Sequence, residues 1–507
     1  MKKIAIIGSG INGLVAANYL AKEKYDVTVI EKKSFTGGAC IKDSTIIDNK
    51  EIDFAYGATV LGMMPDFIFS ETGLDKLVQT FCPKTPKLVY FPNSEKSTRI
   101  FQNHEKLDIE LEQQWGEKGD TLGFRNDENK VIDFIQNIYK NAISPSIEHA
   151  EKILGKDLTN LWIRGSAKNL LDHYFTSEKT KLYMGMTVIE SGPASINDPG
   201  TAFTIPLMDS GSVFNGYWGF VKNGIWKISE NLTEINKKLG VKFSLNSNIE
   251  NINTATGVIS YTSNSVKNEL NYDHLVFATD PKVPGELLNN ETIKRNNSKR
   301  NFLGSSGKVT AFFKNPVQWD ESHNNPEYDT SFRFFFSNNT LEELETASQN
   351  ASKKVDDYCP GYIQVYAEGG AQRKMKNNED LDKIILFTKN LSFDKSAEKI
   401  DDVKEKIISR VISHIKNPED LVYSKFLTPK DLNETFYFPE GNIDHMTLDG
   451  NQNFDKRTFS SDSKNFYKYY DFDNIYYCGA GSFPCGSVAG TPGYMCAKQL
   501  TRKDKVY

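Results

Sequence analysis

A glycine-punctuated strand–helix–strand unit opens this chain and limits what its N-terminal segment can become. Lys2-Lys-Ile-Ala-Ile-Ile reads as a short buried strand running into Gly8-Ser-Gly10-Ile-Asn-Gly13. An apolar-periodic helix follows, then a second strand, Asp26-Val-Thr-Val-Ile, ending at Glu31. In such a unit the first glycine makes the tight turn. The second lets backbone approach a pyrophosphate, and the third lets the helix pack closely on the strand. The helix N-terminus offers free N–H groups and positive dipole to that pyrophosphate. Glu31 stands roughly 20 residues past the glycines, where a carboxylate can hold ribose hydroxyls. The expectation is a dinucleotide site made by Gly8, Gly10, Ile11, Asn12, Gly13, Glu31 and the adjoining Lys32.

Composition excludes several classes. The 507 residues carry 61 basic and 66 acidic side chains, a net charge of −5, with no basic arm or stripe for nucleic acid. No run of about eighteen apolar residues appears, so a membrane-spanning helix is not expected. The Met-Lys-Lys start looks like a secretory leader, but glycines at 8, 10 and 13 interrupt its apolar run. Six cysteines without a tight pairing pattern fit a reducing cytosol, so a cytoplasmic location is expected.

Two further glycine-rich stretches narrow the choice of nucleotide. Thr36-Gly37-Gly38-Ala39 and Asp53-Phe-Ala-Tyr56-Gly57-Ala58 follow the first unit. A turn between strands would be the plain reading. An extended FAD molecule gives such a pair a purpose, because bare backbone must lie against it. Near the C-terminus, Asn474-Ile-Tyr-Tyr-Cys478 reads as a buried strand before Gly479-Ala-Gly481-Ser482-Phe-Pro-Cys-Gly486-Ser487-Val488-Ala-Gly490-Thr-Pro-Gly493. That glycine density suits backbone wrapped around a flat ring, and the dipole of a helix starting near Gly490 could stabilise charge on a reduced flavin.

Together these motifs resemble the phytoene dehydrogenase family of FAD-dependent oxidoreductases, which includes carotenoid desaturases, carotenoid isomerases and retinol saturases. The stretches Asn12-Gly-Leu-Val-Ala-Ala17, Ser166 through Tyr174, Gly216 through Gly224, Thr428-Pro-Lys-Asp431 and Gly441-Asn-Ile-Asp-His445 look closest to one branch. It contains the pyridine nucleotide-disulphide oxidoreductase domain-containing protein 2 group. Three places depart from the pattern: Ile11 replaces a frequent histidine, Asn223-Gly224 replaces a glycine pair, and Cys485 and Ser487 replace terminal glycines. The resemblance implies FAD, contacts to adenine from the strand containing Ile249, and a cofactor-side corner at Ala278, Thr279 and Asp280; Cys485 beside the ring invites a covalent-flavin reading, but a small residue filling a tight loop is the expectation, so the FAD is expected to be non-covalent.

The implied fold class is α/β, with a discontinuous Rossmann-type FAD-binding domain and an inserted mixed α+β substrate domain. Residues 1–75, 225–290 and 465–507 are assigned to the first, and 76–224 and 291–464 to the second. Apolar residues at 225, 228, 232, 235 and 239 mark a helix stopped by Gly240. Phe332, Phe334 and Phe336 share one strand face, which is either core or substrate wall. Residues 402–415 read as an amphipathic helix, packed inside or touching a membrane surface. Residues 337–354 read as a polar surface excursion.

The chemistry expected is hydride transfer between a substrate C–H bond and flavin N5. No second GxGxxG, redox cysteine pair, catalytic triad or metal-ligand cluster is evident, so oxygen or a quinone is the expected electron acceptor. The substrate is expected to be an apolar small molecule, isoprenoid or polyene, which peripheral membrane contact would help to deliver. Tyr56, Trp218, Phe220 and Phe334 are candidates for the cofactor and substrate walls. His445 is the acid–base candidate, with a proton affinity near the working pH; a loop-holding histidine is the alternative. Rival readings are a flavin amine oxidase, an isomerase using reduced FAD, and a flavoprotein scaffold without turnover.

Overall fold

Strands buried on both faces build the first layer. A computed structural model describes residues 1–94, 96–320, 325–352, 361–377 and 379–506. Its five-stranded parallel sheet runs in the order Ile475–Tyr477, His274–Phe277, Lys3–Ile7, Asp26–Ile30, Lys242–Ser244. The continuous apolar runs of these strands follow from cover on both sides. On one face the helix Ile11–Lys22 packs against Lys227–Lys238 and Thr491–Val506. The amide of Asn236, itself buried, donates to Leu14 O at 2.8 Å and accepts from Asn18 at 2.9 Å, which locks two of those helices. On the other face lies a three-stranded antiparallel sheet, Ser247–Asn253, Val258–Ser263 and Val266–Asn271. Its Ile252, Ile259 and Tyr261 share a core with Ala5, Ile7, Leu275 and Phe277.

Between these segments is a mixed region whose seven-stranded sheet has the order Leu421–Leu427, Gly307–Phe313, Asp382–Thr388, Tyr362–Tyr366, Arg333–Phe336, Lys87–Tyr90, Thr98–Ile100. Only the Arg333–Phe336 and Lys87–Tyr90 pairing is parallel among its described ladders. The architecture is α/β: a Rossmann-type layer assembled from separated chain segments, with a mixed α and β region inserted.

The helix read over 402–415 occupies Ile400–Ile412 and buries Val403, Ile407 and Val411 against Val309, Val365, Ile384 and Leu386. Its apolar stripe therefore faces core. The surface excursion expected over 337–354 is instead mostly the helix Leu341–Ser352, because Leu341, Leu344 and Ala351 are buried; residues 353 and 354 lie outside the described ones. Leu341 lies against Gly185, a contact made by a part of the chain remote in sequence.

Candidate functional site

The opening glycines are required by close backbone packing. A Cβ at Gly13 would stand 2.3 Å from Gly8 O, and one at Gly38 (φ +63°) 3.0 Å from Gly10 Cα. Gly37 N–H donates to Ser9 O at 2.9 Å, drawing the second glycine pair onto the first. The helix beginning at Ile11 has no side-chain cap at Gly10, which leaves its first-turn N–H groups available to an anion. Glu31 is held in place: its Oε2 accepts from Ser9 N–H at 2.9 Å and Ser9 Oγ at 2.7 Å, and its Oε1 from Lys33 N–H at 2.9 Å.

A cavity of about 780 Å³ extends from this cradle. Gly8, Gly10, Ile11, Asn12, Glu31, Lys32, Gly37, Gly38, Ala39, Gly57 and Ala58 line it, as do Ile249, Ala278, Thr279, Gly486, Ser487, Val488, Trp218 and His445. Gly13 stays behind the wall as helix packing. The volume falls in the range of ligand-binding clefts, and the unclaimed helix start, glycine cradle and held carboxylate fit an extended dinucleotide.

Several expected residues lie elsewhere. Phe220 is in a short ladder with Phe81 and packs edge-on against Phe332 at 5.4 Å, while Phe334 packs on Tyr183 at 5.9 Å. Neither lines the cavity; Tyr366 and Phe387 of the large sheet do so instead. Tyr56 puts its ring against Phe54 and Phe436, contributing only its carbonyl near the wall. Gly479 and Gly481 pack under Thr279 and Pro281, and Ser482 Oγ donates to Gly479 O at 2.7 Å. These three shape the terminal loop without lining the cavity. Of that loop, Ser487 and Val488 take left-handed φ values of +56° and +59°, a conformation uncommon for non-glycine residues and most of all for a β-branched one such as valine.

Charged groups that no sequence pattern reveals stand in the wall (Lys308) and behind it (Arg457). Lys308 is buried, and its Nζ donates to the carbonyls of Ala55, Tyr56 (3.2 Å) and Gly57 (3.0 Å). Burial far outweighs the attraction of Glu368 and brings its pKa down to about 7. Fully buried Arg457 donates to Asp444 O at 2.8 Å and Ala480 O at 3.1 Å, tying the terminal loop to the segment carrying His445. A lysine in an alternating strand or an arginine in a loop carries no sequence signal for such roles. Only the contact between distant segments reveals them.

His445 reaches the cavity with its ring 5.4 Å from Phe438. Burial pushes its pKa down to about 4, against the proton affinity near neutrality expected from sequence. Cys485 is buried outside the lining, where a small side chain fills the loop. The described cysteines Cys40, Cys82, Cys478, Cys485 and Cys496 form no disulfide. Among the described residues, no group of three or more His, Cys, Asp or Glu side chains could hold a metal ion, and no helix is long and apolar enough to cross a membrane.

Comparison with known proteins places this geometry in context. Residues 6–67 match the family model for an NAD(P)-binding Rossmann-like domain. The chain is 26% identical over 271 residues to a 4,4'-diapophytoene desaturase (4,4'-diaponeurosporene-forming) of Staphylococcus aureus strain bovine RF122 / ET3-1, covering 49% of each chain. The same share and identity hold for the enzyme of strain COL, over 266 residues. The chain thus spans about half the length of the curated relatives it matches. Among solved structures, cyclohexylamine oxidase from Brevibacterium oxydans IH-35A aligns with a TM-score of 0.61 at 13% identity, over 100% of this chain and 99% of that one. A redesigned putrescine oxidase aligns with a TM-score of 0.59 at 14% identity, over 100% and 98%. The structural likenesses establish the fold, and the sequence similarity is phytoene-desaturase-like.

Proposed function

We propose that the protein is an FAD-dependent oxidoreductase of the phytoene-dehydrogenase-like kind, acting on an apolar isoprenoid or polyene substrate. One observation carries this reading: a single cavity joins the nucleotide cradle at Gly10, Glu31 and Gly38 to a wall of Trp218, Tyr366, Phe387 and Val488. When bound, FAD would supply the hydride-accepting N5. The first-turn amides at 11 and 12 would hold its pyrophosphate, Glu31 a ribose, and the 247–249 backbone its adenine. The glycine and terminal loops would hold the ring.

In this reading residues 1–75, 225–290 and 465–507 serve the cofactor, and 76–224 and 291–464 the substrate. The aromatic wall positions an apolar chain and excludes water. Lys308 Nζ, its three hydrogens engaged by the carbonyls of Ala55, Tyr56 and Gly57, holds the loop that runs beside the cofactor; His445, kept neutral by burial, shapes the wall. Oxygen or a quinone would take the electrons, and a cytoplasmic protein would meet its substrate by peripheral membrane contact. The similarity to diapophytoene desaturases favours this substrate class over amines.

The test is anaerobic titration of the FAD-loaded protein with isoprenoids, polyenes and control amines, following flavin absorbance. Bleaching by an isoprenoid or polyene is expected. Bleaching only by amines would turn the assignment to an amine oxidase. No bleaching, with product isomerised, would indicate isomerase chemistry.

A further inference from the structure

Ser487 and Val488 line the cavity as two consecutive left-handed residues. A Cβ makes that backbone unfavourable, so neighbouring contacts must hold it. Neither backbone N–H finds an acceptor among the described residues. The residue before them does: Gly486 N–H donates to Asp444 Oδ1 at 3.0 Å, and Ser487 Oγ lies 3.5 Å from the same oxygen. A Cβ at Gly486 would stand 3.0 Å from Asp444 Oδ1 and from Ile443 O, so the two segments meet closely. Asp444, 2% exposed, is held at both ends of its own backbone. Its N–H donates to Asn442 Oδ1 at 2.9 Å, and its carbonyl accepts from Arg457 Nη2 at 2.8 Å. Asn442 Nδ2 in turn donates to Leu303 O at 3.0 Å, and Arg457 Nη2 to Ala480 O at 3.1 Å. A continuous run of hydrogen bonds thus joins the 441–445 segment to the terminal loop.

We propose that Asp444 is the positioning residue for the flavin ring. By taking the Gly486 N–H it holds the left-handed turn that leaves the N–H groups of Ser487 and Val488 for the ring's electron-rich N1–C2 edge. This rests on the function proposed above and names what shapes its ring site. Asp444 lies outside the cavity lining, so it acts through the loop and not by contact. The charged groups around it are Arg457, Lys389 and Glu190. Burial raises the proton affinity of its carboxyl and Glu190 adds to the rise, while Arg457, the Gly486 N–H and Lys389 pull it back. A carboxyl oxygen accepts from Gly486 in either protonation state.

The experiment compares native, Asp444→Ala and Asp444→Asn proteins loaded with FAD. Flavin fluorescence gives the FAD dissociation constant. After reduction with dithionite, absorbance gives the pH at which the reduced flavin takes up its N1 proton. Asp444→Ala leaves the Gly486 N–H without its acceptor. FAD should then bind about tenfold more weakly, and N1 should take its proton at higher pH, because donors that favoured the anion have moved away. Asp444→Asn keeps an accepting oxygen, so affinity should stay within about twofold of native and N1 should be protonated at native or lower pH. Should the alanine variant not fold, Asp444→Ser, whose hydroxyl falls short of Gly486, makes the same comparison. Native behaviour of Asp444→Ala would overturn the assignment. So would equal loss of affinity in both variants, or a fall of the N1 protonation pH in both, which marks a charge acting directly on the ring. The expected pattern without flavin reduction by any isoprenoid would leave the positioning role standing and strike the substrate reading. Failure of the native protein to bind FAD would overturn both.

Discussion

Glu31 Oε2 accepts two hydrogen bonds from Ser9, one from the backbone N–H at 2.9 Å and one from Oγ at 2.7 Å. The carboxylate at the end of the second strand thereby steadies the turn at the end of the first. Both residues line the cavity, so cofactor affinity and loop geometry share the same contacts. Glu31→Gln replaces one accepting oxygen with a donor and removes the charge. FAD retention should fall about tenfold or more, the value of a charge-assisted bond of about 1.5–3 kcal/mol. Reconstitution of stripped protein with FAD, followed by flavin fluorescence, measures it; unchanged affinity would remove Glu31 from the cofactor site.

Gly38 and Gly116 both have positive φ, +63° and +71°, but only Gly38 faces a close neighbour. Gly116→Ala meets open space and should cost only the left-handed backbone term, about 1–2 kcal/mol. Gly38→Ala adds overpacking against Gly10 Cα, for a total of about 2–4 kcal/mol. Urea unfolding of the two variants should separate them, and Gly38→Ala should also shed flavin.

The Lys308 pKa of about 7 lies below its ordinary 10.5. Below about 7 both folded and unfolded chains hold the proton, and the fold bears the full cost of the buried cation. From about 7 to 10.5 the folded state has released a proton that the unfolded state retains, so Lys308 makes stability rise with pH. Lys389, lowered to about 8, acts in the same direction. Lys308→Met should flatten part of the rise in urea midpoint between pH 7 and 9. An unaltered slope would show that Lys308 keeps an ordinary proton affinity.

His445 has φ +63°, a conformation that asparagine accepts, and a pKa lowered to about 4. His445→Asn should therefore leave the pH profile of single-turnover flavin reduction unchanged above about pH 5. A profile that loses an inflection in this variant would give the proton-transfer role to His445.

Trp218 lines both the main cavity and a smaller one of about 50 Å³ bounded by Pro83, Phe101, Tyr217 and Phe332. Trp218→Leu should join them, shifting preference toward longer isoprenoid chains by roughly one carbon–carbon increment of affinity, about 0.8 kcal/mol per added buried methylene. A chain-length series of binding measurements checks it.

The nucleotide cradle was legible because its chemistry is local. Gly8, Gly10 and Gly13 sit at fixed spacing between a strand and a helix, and Glu31 ends the next strand, so neighbouring residues define turn, dipole and carboxylate together. The substrate end was not legible. Phe334 alternates as a wall residue would, yet whether its face meets cavity or core depends on Tyr183, more than a hundred residues away in the chain. Lys308 and Glu190 look like ordinary surface charges in sequence, and only sheet pairing and long-range burial make them cavity groups. The sequence by itself determined the backbone geometry of the opening dinucleotide unit, because steric rules at glycine and strand periodicity act within a few residues. Only tertiary structure decided which aromatics and charges face the cavity and what their proton affinities are. Those depend on solvent exclusion and on partners brought together from segments that no local pattern connects.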